Sequence, residues 1–159
     1  MRSLLCVQTA LCLWQGSFAQ TDTLPEVNRR IVAFVREHMG EKVGRGECWD
    51  LAAGALDSAG AKWDGDYGFG HKLDLKRDVI LPGDIVQIEG ADFRWEEGRD
   101  IHTMRMPHHT AVVLEVKAPG AYVIAQQNTQ ETGRRVGTGD LVLARRTKGR
   151  IDFYRPVER

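Results

Sequence analysis

At Leu81 the periodicity of the chain changes. Before it, apolar residues recur at helical spacing; after it, they come in short runs divided by turn residues, as strands do. The first helix reads from a capped, proline-bearing start at Thr21-Asp22-Thr23-Leu24-Pro25-Glu26 through Val27, Ile31, Phe34 and Val35 to an end at Gly40. The second opens at Cys48, carries Leu51, Ala52, Ala55, Leu56 and Ala59 on one side, and closes at Gly60. Beyond the turn Leu81-Pro82-Gly83-Asp84, the runs Ile85–Ile88, His109–Val116, Tyr122–Asn128, Leu141–Ala144 and Ile151–Pro156 read as strands, with Ala118-Pro119-Gly120 joining two of them as a hairpin. Residues 61–78 and 89–107 read as irregular loops. Two helices followed by a meander of about five strands predict an α+β domain, its antiparallel sheet covered by helices on one face.

With 159 residues, 42% of them hydrophobic, the chain has material for one core. Twenty-two basic residues balance twenty-two acidic ones and are scattered, which argues against a nucleic-acid or anionic-membrane surface. The densest basic run, Arg145, Arg146, Lys148 and Arg150, alternates with other residues as a solvated strand face would. At the N-terminus, Arg2, the apolar stretch Leu4–Leu13 and Ser17-Phe18-Ala19 have the order of an export signal, predicting a segment 1–19 cleaved after Ala19 and a single domain over 20–159. The stretch is too short to span a bilayer, so no membrane span is expected in the mature chain, which would be secreted or periplasmic. Cleavage removes Cys6 and Cys12 and leaves Cys48 alone, without a disulfide partner. In an oxidising compartment a lone thiol is either buried and inert or chemically useful.

The position of Cys48 favours use. The glycine-broken run Gly44-Arg45-Gly46-Glu47-Cys48 puts the sulfur at a helix start, where unpaired N–H groups and the dipole favour a thiolate. Thiol chemistry also needs a base and a group that orients it; a histidine on one strand and a polar side chain on its hairpin partner can meet across a sheet. His108 and His109 point to opposite faces of a strand, so one at most faces Cys48. The same alternation puts Gln126 and Asn128 on one face and Gln127 on the other. A zinc site built from Cys48, His102, His108 and His109 lacks the close paired spacing of a structural site, and Asp64-Gly65-Asp66 reads as a turn rather than a calcium loop. No metal or other cofactor is therefore expected. Trp49, Trp63 and Trp95 are expected in the core or a cleft wall, Glu47 in water, and Asp84 bonded within its own turn.

Gly46-Glu47-Cys48 opening a helix, Leu81-Pro82-Gly83-Asp84-Ile85-Val86, His109-Thr110-Ala111-Val112-Val113 and Gln126-Gln127-Asn128 together resemble the motif series of the CHAP and NlpC-type cysteine amidases and peptidases. The run Arg45–Ala52 is also similar to the cysteine-proteinase-fold domain of fungal myosin-tail-interacting proteins. The resemblance covers roughly residues 25 to 157 and implies a papain-like fold. It implies Cys48 as nucleophile and His109 as general base, with Gln126 where the family carries an acid and Asn128 where it carries asparagine. The activity implied is that of an exported thiol hydrolase working by acyl transfer on a peptide or peptidoglycan-type amide. The amide at Gln126 can orient an imidazolium but not neutralise it, which gives the alternative of a papain-fold binding or scaffold module with weak or no turnover.

Overall fold

The computed structural model describes residues 24–159; the expected signal segment, residues 1–19, lies outside them. Helix α1 spans Glu26–Glu37 and α2 spans Cys48–Ala59. Strands β1 (Ala61–Lys62), β2 (His71–Lys72), β3 (Ile85–Glu97), β4 (Asp100–Ala118), β5 (Ala121–Gln126), β6 (Gly137–Val142), β7 (Arg146–Arg155) and β8 (Val157–Glu158) follow. Six of them form one antiparallel sheet in the order β2-β7-β3-β4-β5-β6, and β1 pairs with β8. The architecture is α+β, two helices on a mostly antiparallel sheet, as expected. The sheet has six strands rather than five because the short β2 adds to β7 by pairing His71 with Arg155. Among the described residues no helix is long and apolar enough to cross a membrane.

Both helices are where their periodicity predicts. Gly60 closes α2 in the left-handed conformation at φ 68°, which a glycine adopts without strain. The face of the sheet under the helices packs Ile85, Val112 and Ala125 against Ile31, Val35, Leu51, Ala52 and Leu56. The opposite face holds a second cluster, Val86, Ile88, Phe93, Ala111, Val113, Ile124 and Phe153, covered by Leu73, Ile80 and the arms of the chain's own longest hairpin. Burial on both faces is why residues 111–113 read as a continuous apolar run.

Residues 89–107, expected to be irregular, form most of that hairpin. β3 and β4 pair without a slip from Ile85↔Val112 to Glu97↔Asp100. The inward face changes parity at Gly90, which has φ 56°: Val86 and Ile88 precede it on the second cluster, and Ala91 and Phe93 follow it there. On β4 the same cluster takes Met104 and Met106, then Ala111 and Val113. A period-two pattern broken in this way has no strand signature over its full length.

Asp84 does more than hold its own turn. Its carboxylate accepts from the Leu81 N–H at 2.8 Å, from Arg155 Nε at 2.7 Å and Nη2 at 2.9 Å, and from Asn28 Nδ2 at 3.0 Å. The turn, the end of β7 and helix α1 are thus tied to one buried charge. The pairing also raises the Arg155 pKa above its ordinary value, against the effect of burial. Gly83 is required beside it: at φ +86° a Cβ would sit 2.6 Å from the Asn28 carbonyl oxygen.

Candidate functional site

Cys48 is the first residue of α2 and is half-buried. The loop before it is pinned from three sides. Asp50, in the first turn, accepts from the N–H groups of Arg45 at 2.7 Å and Glu47 at 3.1 Å. Burial alone would push its carboxyl up, but these two bonds and the Arg45 side chain outweigh it and hold Asp50 below its ordinary value. Gln127, fully buried, accepts from the Val43 N–H at 3.2 Å and donates to the carbonyls of Val43 at 3.0 Å and Glu47 at 2.7 Å. Gly46 sits at φ +86° with the Arg134 side chain where its Cβ would be, at 2.7 Å. This backbone is preorganised by Asp50 close by in the chain and by Gln127 and Arg134, eighty or more residues away.

The two neighbouring histidines go to different places. His109 belongs with Ala111 and Val113 on the second cluster, and its Nε2 meets Gln126 Oε1 at 2.9 Å. Both are buried, on the face turned away from α2. Burial lowers the His109 pKa; the Gln126 bond opposes this in part and the nearby His108 charge adds to it, so the ring is neutral near pH 7. His109 and Gln126 therefore do meet across the hairpin, as the register predicts, and no hydrogen bond joins either of them to Cys48 among the described residues. The physical reason is the pairing Ile85↔Val112, which turns even-numbered β4 residues toward the helices in this region.

His108 faces the helices. Its Nδ1 lies 3.0 Å from Glu89 Oε2, directly across the β3–β4 pair, and its Nε2 lies 2.9 Å from the Tyr67 hydroxyl. Glu89 is held in turn by Gln87 Nε2 at 2.9 Å, and Gln87 Oε1 accepts from Thr110 Oγ1 at 2.6 Å. Burial would raise the Glu89 carboxyl, yet the bonds from His108 and Gln87, with the charges of His108 and Arg150, leave it below its ordinary value. A charged carboxylate on Nδ1 leaves Nε2 as the working nitrogen. Tyr67 connects this network to the surroundings of Cys48. Burial raises its pKa first, and then the charges of Asp66, Cys48 and Glu89, so the phenol lies within the field of the sulfur.

Asn128 takes a third position. β5 ends at Gln126 rather than at Asn128, and Asn128 adopts φ 63°, leaving the strand alternation. Its Nδ2 donates to Glu47 Oε2 at 2.7 Å, while Arg134 lies 3.2 Å from Glu47 Oε1. Glu47, expected in water, is instead the link between Asn128 and the start of α2. A groove of about 550 Å³ runs past Trp95, Met106, His108, His109, Asn128 and Glu131. Trp49 and Trp63 form an aromatic wall beside Cys48, with ring centroids 5.7 Å apart. Trp95 stacks on His102 at 5.2 Å, and among the described residues no cluster of metal-ligating side chains forms.

Of the four residues the sequence pointed to, His109 and Asn128 line the groove, Gln126 is bonded to His109, and Cys48 stands at the start of α2, outside the groove's lining. Glu89, Gln87, Tyr67 and Gln127 had no assigned role. Gln87 and Glu89 carried a signal nonetheless: with Ile85 they occupy alternate positions of one strand, and two polar side chains in succession on a covered face call for buried partners.

The profile of the AIM3/BBC1 cysteine proteinase-fold domain matches residues 22–159. The chain is similar to Altered inheritance of mitochondria protein 3 of Debaryomyces hansenii, at 30% identity over 145 residues. That match covers 80% of this chain and 15% of the relative, so the chain corresponds to a small part of the relative's length. Among solved structures, that of Ly7917 with the hydrolyzing product of MDP superposes with a TM-score of 0.51 at 18% identity, over 81% of this chain and 62% of that one.

Proposed function

The chain belongs to the AIM3/BBC1 cysteine proteinase-fold domain family, and from that premise we propose that it is a thiol hydrolase whose nucleophile, base and orienting acid are Cys48, His108 and Glu89. The observation that carries this reading is the Glu89–His108 pair at 3.0 Å, on the sheet face from which α2 presents Cys48. The acid missing at Gln126 is supplied from the strand on the other side of β4. Removing a thiol proton through Nε2 leaves an imidazolium, and Glu89 is the group that stabilises it. Sγ attacks the carbonyl carbon of an amide, and the C–N bond breaks as His108 returns the proton to the leaving amine. Water, deprotonated by His108, then cleaves the thioester, releasing the carboxylic acid and restoring the thiol. Asn128, held by Glu47, borders the groove, where it can hold a peptide main chain. The substrate class is a peptide-type amide, with peptidoglycan peptides the first to try. Export after cleavage at Ala19 belongs to the same proposal and is tested by sequencing the N-terminus of the secreted chain.

A peptidyl acyloxymethyl ketone, which alkylates only an activated thiol, tests the reading. The full chain is expected to gain one adduct at Cys48, identified by mass, and to lose it in His108→Ala and Cys48→Ser. Labelling indifferent to His108 would sink the assignment. One observation favours a second reading, a peptide-binding module without turnover: Nε2 of His108 is on Tyr67 rather than on the sulfur. That reading expects peptide binding with neither adduct nor cleavage.

A further inference from the structure

We propose that Tyr67 is a latch on His108, holding Cys48 without a base until a ligand enters the groove; this rests on the reading of Cys48, His108 and Glu89 given above. An imidazole has two nitrogens, and both are taken. Nδ1 is on Glu89 at 3.0 Å and Nε2 on the Tyr67 hydroxyl at 2.9 Å. A neutral ring nitrogen offers one lone pair, so Nε2 cannot accept a thiol proton while it accepts the phenol. The rings agree with a held pose: Tyr67 stands edge-on to His108, centroids 5.0 Å apart at 83°. Burial and the surrounding negative charges keep the phenol protonated, and so a donor, at neutral pH.

The latch can open without unfolding its loop. The turn that carries Tyr67 is made by its neighbours: Asp64 Oδ1 accepts from the N–H groups of Asp66 at 2.8 Å and Gly68 at 3.0 Å, and Trp49 Nε1 donates to the Asp66 carbonyl at 2.8 Å. None of these bonds uses the Tyr67 side chain, which is 40% exposed. Rotation about its first torsion frees Nε2 and leaves the turn intact. Besides the His108 ring, the phenol then gives up its edge-on packing against Phe69, with centroids 6.0 Å apart. A peptide seated beside His108 and Asn128 displaces the phenol, and the base is released where the acyl group arrives.

The test compares a small reagent with the peptidyl one. Iodoacetamide is too small to fill the groove, so it reads the latched state. Tyr67→Phe is expected to label faster than wild type at pH 7 by about three- to tenfold, the factor for releasing one hydrogen bond. The gain should vanish in Tyr67→Phe/His108→Ala. The peptidyl ketone should label wild type and Tyr67→Phe at rates much closer together, because it opens the latch itself. Equal iodoacetamide rates in the two proteins, with His108-dependent peptidyl labelling intact, would overturn the latch and leave the hydrolase reading standing. No adduct from either reagent in either protein would overturn both. Imidazole nitrogen NMR gives a check free of Cys48: the His108 Nε2 resonance should move in Tyr67→Phe, and no movement overturns the latch.

Discussion

His108 and His109 are consecutive residues on one strand, yet they share no partner and face different surroundings. The His108 side chain is 44% exposed and is the link between Glu89 and Tyr67 in a chain of hydrogen bonds that starts at Thr110 and Gln87. His109 is 6% exposed, with one amide against Nε2 and apolar residues around it. The first environment can carry a proton to and fro because a carboxylate balances the charge and water reaches the site. In the second, protonation would put an unbalanced charge in a core. An imidazole becomes a base through what surrounds it, and strand alternation gives neighbours opposite environments.

The sharpest way to break this comparison is to delete each ring. His108→Ala is expected to slow Cys48 labelling by the peptidyl ketone by about 10²-fold or more, the usual range for a general base. His109→Ala should leave labelling of folded protein within about twofold and instead lower stability by about 1–3 kcal/mol, since Gln126 loses its partner in the core. Urea unfolding followed by fluorescence measures the second effect; the opposite assignment of the two losses would restore His109 as the base.

Changing the acids has the next largest effect. Glu89→Gln keeps a hydrogen-bonding partner on Nδ1 but not the charge, and should cost about tenfold to a hundredfold in turnover or labelling. Gln126→Glu sharpens the contrast from the other side. It creates on the back of the sheet the acid that the family resemblance implies there. Labelling of Cys48 should not improve, and stability at pH 7 should fall by about 1–3 kcal/mol as a buried charge replaces an amide. Improved labelling would mean that His109 reaches the sulfur after all.

The smallest effect is in the pH dependence of stability. The folded-state pKa of His109 lies below the ordinary 6.5. Below about pH 6.5 the unfolded chain therefore takes up a proton that the folded chain refuses. Stability is full above that value and falls as the pH drops toward the folded pKa, with a slope of at most about 1.4 kcal/mol per pH unit. Glu89 and Asp50, depressed from 4.5 and 3.8, act in the same direction at lower pH. Denaturant midpoints between pH 7 and 5 should decline in wild type and flatten in His109→Gln; an equal slope in both would remove His109 as the cause.

Much of the scaffold was legible because its signals are local. The helix beginning at Cys48 is marked by a glycine-broken entry, Asp50 in the first turn and Gly60 at the exit. The α1 periodicity, the Pro-Gly-Asp turn and the hairpin at Gly120 are equally short-range. Residues 89–107 were not legible as strands because the inward face moves from even to odd positions on β3 around Gly90, where its register with β7 shifts between Glu89 and Asp92, and no window across it alternates cleanly. The site suffered from the same gap. If that stretch is a loop, Glu89 has no strand to sit on and no partner across it, and β5 is the place left for the acid.

Sequence by itself determined the residue types: a thiol at a helix start, two adjacent histidines on a strand, and polar residues on its partners. Those follow from composition, turn chemistry and period, which act over a few residues. Which histidine lies on the helix-covered face of the sheet was decided only in three dimensions, by a register pairing Ile85 with Val112 and Glu89 with His108. A shift of one residue would exchange the two rings between the faces of the sheet. That register is set by apolar packing on both faces at once, between residues far apart in the chain, and no local pattern in β4 records it.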